Sequence, residues 1–234
     1  MILAIDTTHN HGSIAISRQD ELQYSAWFDV KITHSESLMP EIDRALKILS
    51  CKPEDITAIL LCSGPGSFTG LRIGLATAKG IAYALKVPLL TYNSLQLSAV
   101  NLYNCGRDIL VVLDAKMSEV YIALYTQDLQ EIIPPQTQKP EDLLNIINTD
   151  VFITGSAAMI ISKLFKQNGK SFQITLGHQG TPYAAALFDL FALYPQVMKY
   201  DFKQLAELEP LYLRESTAQL RHRLKGNQTD AGKS

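Results

Sequence analysis

No stretch of this 234-residue chain stays apolar long enough to cross a bilayer, although 47% of its residues are hydrophobic. Charge bias is equally scarce. Lys and Arg number 21 against 23 Asp and Glu, a net charge of −2, so there is no global basic footprint for nucleic acid. Any contact with RNA or DNA has to be local or shared with a partner. The three cysteines, Cys51, Cys62 and Cys105, form no Cys-x-x-Cys and leave one over, a pattern that fits buried thiols in a reducing cytoplasm. Histidine pairs at metal-binding spacing are missing too: His9 and His11 are two apart, while His34, His178 and His222 stand alone. The N-terminus has no basic region or cleavage site before Ile2-Leu3-Ala4-Ile5-Asp6, so it reads as a first strand and not as a leader. These absences leave a soluble, cytoplasmic, globular protein with enough apolar residues for two small domains or one large one.

Strand signals come early: Ile2–Asp6, Gly12–Ser17 with alternating Ile14 and Ile16, and Leu22–Val30. Their short spacings predict an antiparallel meander. A helix follows over Glu36–Leu49, apolar at Leu38, Ile42, Leu46 and Leu49, with Ser35 as N-cap, Glu36 as first-turn acid and Pro40 placed in or near the first turn. A buried strand at Ile56–Cys62, a helix over Leu71–Leu85 and a strand at Pro88–Thr91 complete a β-β-β-α-β-α-β unit. That is the ribonuclease-H-like order found in each half of actin-like ATPases. A second unit begins near Asn104, with strands at Ile109–Asp114, Val120–Tyr125 and Val151–Thr154 and helices at Glu141–Ile147, Ala157–Gln167 and Tyr183–Tyr194. Between them Pro134 to Pro140 reads as a long connection. The expected organisation is a two-lobed α/β fold with mixed sheets flanked by helices. An N-terminal domain spans 1–104 and a smaller C-terminal domain 105–214, whose last helical segment is placed to return to the first. A polar tail over 220–234 is expected to be disordered.

Between the Ile56–Cys62 strand and the next helix lies Gly64-Pro65-Gly66-Ser67-Phe68-Thr69-Gly70-Leu71-Arg72-Ile73-Gly74. A glycine-rich turn opening into a helix leaves backbone N–H groups that can hold an anion. No Lys-Ser or Lys-Thr follows the last loop glycine, so this is not a P-loop, and the dinucleotide fingerprint fits poorly. The helix beyond it carries two charges, Arg72 and Lys79. Two ridges of small residues run along it, Gly70-Gly74-Ala78-Ala82 and Ala76-Gly80-Ala84, so it is apolar nearly all round and needs cover on more than one side. The cover is either the rest of this chain or another protein. Met39 and Ile48, off the main stripe of the preceding helix, would enlarge the same surface.

Several segments together carry a family resemblance: Ile2-Leu3-Ala4-Ile5-Asp6-Thr7-Thr8, His34-Ser35-Glu36-Ser37-Leu38-Met39-Pro40, the 64–74 glycine stretch with Ala78-Lys79-Gly80, Asp114-Ala115-Lys116 with Glu119-Val120-Tyr121, and Pro210-Leu211-Tyr212-Leu213-Arg214. In this order, from residue 2 to about 214, they resemble the TsaB family of tRNA threonylcarbamoyladenosine biosynthesis proteins, non-catalytic paralogues of the transferase subunit TsaD. The resemblance implies a role in modifying the adenosine next to the anticodon. It also implies TsaD and the ATPase TsaE as partners, a homodimer when the chain is alone, tRNA met only through the complex, and no membrane. The transferase holds a metal with a His-x-x-x-His pair, and the matching positions here are Ser94 and Ser98, poor transition-metal ligands.

No other arrangement makes an enzyme. His34-Ser35-Glu36 are sequence neighbours, Ser67 lacks a Gly-x-Ser-x-Gly elbow, and His9 and His11 are expected in a solvated turn. Asp6, Thr7 and Thr8 occupy the place of the first phosphate loop of actin-like ATPases in degenerate form, leaving room for no more than weak ATP or ADP binding. The expected interface is Leu38, Ile42, Leu71, Gly74, Ala78 and Ile81, with Gly74→Leu abolishing association while the domain still folds. An actin-like nucleotide-binding protein and a peptidase-like enzyme remain the alternatives. The basic cluster Arg214, Arg221, His222, Arg223 and Lys225 reads as a solvated tail more readily than as a tRNA contact.

Overall fold

The computed structural model describes residues 1–9, 11–29, 34–175 and 183–213. The 220–234 tail, His178 and the basic cluster at 214–225 lie outside them, as do the side chains of His34, Ser35 and Glu36. The first sheet contains β1 (Ile2–Asp6), β2 (His11–Arg18), β3 (Glu21–Asp29), β4 (Ala58–Cys62) and β5 (Leu89–Tyr92) in the order β3-β2-β1-β4-β5. β1, β2 and β3 form an antiparallel meander, while β4 runs parallel to both β1 and β5. The second sheet contains β6 (Asp108–Asp114), β7 (Val120–Tyr125), β8 (Glu131–Gln138), β9 (Val151–Thr154) and β10 (Phe172–Ile174) in the order β10-β9-β6-β7-β8. Counted within each unit, the two orders are the same. A meander leads into two parallel strands twice, which is the duplicated actin-like, ribonuclease-H-like arrangement expected from the sequence.

Seven helices belong to the described chain: α1 (His34–Ile48), α2 (Phe68–Leu85), α3 (Ser94–Ala99), α4 (Leu143–Ile146), α5 (Ala158–Gln167), α6 (Ala186–Leu193) and α7 (Phe202–Glu207). Strand alternation sends successive side chains to opposite faces. It builds five layers here. Leu3, Ile5, Ile14, Ile16, Ile59 and Leu61 pack under α1 and α2. Ala4, Ala15, Leu60 and Cys62, from the opposite face of that sheet, share a core with α3, α6 and with Ile109, Val111 and Leu113 of β6. Leu110 and Val112, the alternate residues of β6, pack with Ile147, Ile161 and Phe165 in the outer core of the second sheet. The middle layer of α3 and α6 therefore belongs to both sheets. Among the described residues, no helix is long and apolar enough to cross a membrane.

Three local expectations need correction. Pro134 and Pro135 lie within β8, not in a connection. β8 is an edge strand, where a missing N–H can face outward without breaking the ladder, and its pairing with β7 shifts register around Ile122–Leu124. Pro40 sits inside α1, one turn further in than expected. The helix predicted at 141–147 is a 3-10 turn, Pro140–Asp142, followed by the four-residue α4. Residues 201–213 form a strap over the first sheet's helices: Leu205 of α7 joins the core under α1 and α2, Lys79 Nζ donates to Ala206 O at 2.9 Å, and Leu211 N donates to Ser63 O at 2.8 Å.

A core shared by both sheets should melt as one unit. We expect a single cooperative thermal transition, and Leu97→Ala in fully buried α3 should lower stability by about 2–5 kcal/mol without splitting it. Differential scanning calorimetry showing two separable transitions would contradict the shared core.

Candidate functional site

The degenerate phosphate loop is the place to look for chemistry. Asp6, Thr7 and Thr8 follow directly from β1 and are 1%, 0% and 1% exposed. Asp6 Oδ1 accepts from Thr8 N at 2.9 Å and from Thr8 Oγ1 at 2.7 Å, a local Asx turn that holds the carboxylate inward. Thr7 Oγ1 donates to Gly70 O at 2.8 Å, and Ser67 N donates to Thr8 O at 2.7 Å. The glycine stretch thus lies directly on the turn. At Gly66 an added Cβ would stand 2.3 Å from Thr8 O, and at Gly74 it would stand 2.2 Å from Thr7 Oγ1. Ser67 caps α2 by accepting from Gly70 N at 3.3 Å, while its carbonyl takes Leu71 N at 2.8 Å. Thr7 Oγ1, Thr8 N, Thr8 Oγ1, Ser67 N and Gly70 N are thereby engaged within the chain itself.

Nearby polar groups follow the same inward pattern. Cys62 lies under the turn, its Sγ 4.0 Å from Thr8 Oγ1, and burial, with the Asp6 charge adding, pushes the thiol well above its ordinary value. It is a protonated core group, not a nucleophile. Ser94 Oγ donates to Pro65 O at 2.5 Å and Ser98 Oγ to Ser94 O at 2.8 Å, both fully buried. The two positions matched to the transferase histidines are thereby committed to main-chain carbonyls. Asp114 ends β6 as Asp6 ends β1. Its carboxylate binds Lys116 Nζ at 2.6 Å and Lys116 N at 2.7 Å, and the lysine holds it below the usual carboxylate range. The turn beyond it keeps Lys116, Met117 and Ser118 all at positive φ.

His9 and His11 do not share a solvated turn. His11 opens β2, and His9 is half-buried, with burial depressing its pKa below 6.5 against the opposing pull of Asp6.

The expected interface residues also need correction. Leu38, Ile42, Leu71 and Ala78 are 1%, 3%, 3% and 0% exposed, Gly74 is buried, and Ile81 is half-buried. α1 and α2 lie side by side, and their shared stripes turn toward the first sheet. Of the two small ridges on α2, Gly70-Gly74-Ala78-Ala82 is the buried one and Ala76-Gly80-Ala84 the exposed one. With Met39 and Ile48 on α1 and Phe68 and Tyr83 on α2, all exposed, that second ridge forms the outer face. Gly74→Leu is consequently a core lesion and cannot test association alone.

Sequence reasoning missed the strap's aromatic contacts. Tyr212 packs on Phe68 with ring centroids 5.3 Å apart, and Phe202 packs on Tyr83 at 5.8 Å. Pairs more than a hundred residues apart leave no periodic signal.

The close approach at Gly74 makes a definite prediction. Gly74→Ala should destabilise the chain by about 1–3 kcal/mol in urea unfolding, and Thr7→Ala in the same chain should recover part of that loss by removing the colliding hydroxyl. Additive losses would contradict the contact. His9 gives a second. Its folded-state pKa is depressed, so the unfolded chain binds the proton more tightly and stability falls as pH drops through 6.5. His9→Gln should flatten that part of the stability profile; an unchanged slope would contradict it.

Comparison with known proteins now adds its weight. The family described as TsaD, tRNA N6-adenosine threonylcarbamoyltransferase, matches residues 29–218. A tRNA threonylcarbamoyladenosine biosynthesis protein TsaB from Bacillus subtilis is 33% identical over 149 residues, 62% of this chain and 65% of that protein. The TsaB protein of Haemophilus influenzae is 27% identical over 227 residues, 91% of this chain and 93% of its own. A Pseudomonas aeruginosa crystal structure, described as an uncharacterized protein with similarity to peptidase YeaZ, superposes with a TM-score of 0.71 at 24% identity, covering 91% of this chain and 99% of that one, and shares the fold. The chain belongs to the TsaD family of tRNA N6-adenosine threonylcarbamoyltransferases, and its near-full-length similarity within that family is to TsaB.

Proposed function

We propose that this chain is a non-catalytic scaffold in tRNA threonylcarbamoyladenosine biosynthesis, docking on the catalytic subunit TsaD through the outer face of α1 and α2. The carrying observation is the closed turn. Asp6, Thr7 and Thr8 are buried and hydrogen-bonded to one another and to the α2 entry, so their side chains are committed to the fold. The serines at 94 and 98 support the same reading, since their hydroxyls are spent inside the fold. Support for docking comes from the exposed ridge Ala76-Gly80-Ala84, where small residues allow another helix to approach closely, flanked by Met39, Ile48, Phe68 and Tyr83. TsaE as a further partner, self-association when TsaD is absent, and tRNA contact only through the assembly belong to the same proposal.

Reconstitution tests it. Purified TsaD, TsaE, threonylcarbamoyl donor and substrate tRNA should give near-background product without this chain and full product with it. Full product in its absence, or turnover by this chain alone, would overturn the scaffold role.

A further inference from the structure

Along the flank of α2 that meets the strap runs a groove of about 270 Å³, lined by Arg72, Leu75, Ala76, Lys79, Leu208, Glu209, Pro210 and Tyr212. Its floor is apolar and its two cations stand two helical turns apart. No described carboxylate is ion-paired with Arg72 or Lys79, although the other described ion pairs involve Arg44, Lys47, Arg107 and Lys116. Lys79 is tied to the Ala206 carbonyl.

Arg72 is held differently. Its guanidinium carbon lies 4.1 Å from the centre of the Phe68 ring, and its Nε donates to Tyr212 Oη at 3.2 Å. Phe68 and Tyr212 in turn stack on each other. An exposed arginine ordinarily loses much rotamer freedom when it binds something. This one is already oriented by a ring face and a phenol, and no described residue is bonded to its terminal amino groups. A planar guanidinium in a fixed pose suits a carboxylate, which it can bind in two parallel hydrogen bonds.

We infer that this groove is the anchor subsite of the docking face and takes the carboxylate of an Asp or Glu side chain from the partner protein, gripped by Arg72 and neutralised in part by Lys79. The inference rests on the scaffold reading and names the chemistry of its contact. Charge complementarity selects the occupant: Arg72 and Lys79 outnumber the single Glu209, so the groove keeps a positive excess over an apolar floor and favours an acid carried on a packed side chain. The phosphate backbone of an RNA fits less well, because the chain's net charge is −2 and the described residues form no continuous basic track. The groove also adjoins Ala76, a member of the exposed small ridge, so one partner can cover both.

The test is the affinity of the full chain for TsaD by calorimetric titration, alongside filter-binding of tRNA. Arg72→Gln is expected to weaken TsaD binding by about tenfold or more while the chain stays folded with a single thermal transition, because the side chain is exposed and loses only its surface contacts with Phe68 and Tyr212. Arg72→Lys should fail to restore affinity, since it keeps the charge and loses the fork. Tyr212→Phe should weaken binding by a smaller factor. Wild-type binding by Arg72→Gln, or full rescue by Arg72→Lys, would overturn the carboxylate anchor. So would loss of tRNA retention with TsaD affinity intact, which would make the groove a phosphate site. Failure of the unmodified chain to bind TsaD would be a different result and would overturn the scaffold reading itself.

Discussion

The rest of this structure depends on how closely α2 approaches the turn after β1. Gly66 and Gly74 bring backbone to within a distance that no Cβ would tolerate, and Thr7 ties the two segments through the Gly70 carbonyl. This approach has two consequences. It seals the Asp6 carboxylate into a turn with Thr8, and it seats α2 with its Gly70-Gly74-Ala78-Ala82 ridge against the sheet. The remaining small ridge of the same helix must then face outward. A closed loop and an open helix face are two results of one packing choice.

The duplicated sheet order makes the contrast between the two lobes informative. β1 and β6 hold the same position in their sheets and both end in an aspartate. In the first lobe the carboxylate is buried against threonine; in the second it is exposed and paired with Lys116. Both are satisfied by their own hairpins. The shared layer of α3 and α6 fills the space between the sheets with Leu95, Leu97, Leu187 and Leu190, so the two lobes are joined by a common apolar core. The common core binds the two lobes into one body.

Much of this was legible from residue order. Long apolar strands and the one-sided stripe Leu38, Ile42, Leu46 and Leu49 of α1 stood out because burial on one face imposes a repeat of two or about 3.6 residues. The glycine stretch was legible as a close-approach device, but not what it approached. The outward ridge of α2 was not legible either: Ala76-Gly80-Ala84 and Gly74-Ala78-Ala82 are equally small, so side-chain size could not say which of them met the sheet. β8 was hidden because its two prolines are tolerated only at an edge, and edges are a property of the assembled sheet. The Phe68–Tyr212–Arg72 cluster was hidden because Tyr212 lies 140 residues beyond Arg72 and comes from a segment with no helical or strand pattern of its own.

The central claim is that the Asp6-Thr7-Thr8 turn is shut as a nucleotide site. Its most direct test is calorimetric titration of the purified chain with magnesium ATP, read together with phosphate release. The account predicts no saturable heat at micromolar to low-millimolar nucleotide and no phosphate release above buffer. Saturable binding with turnover, both abolished by Asp6→Ala in a chain that remains folded, would contradict it.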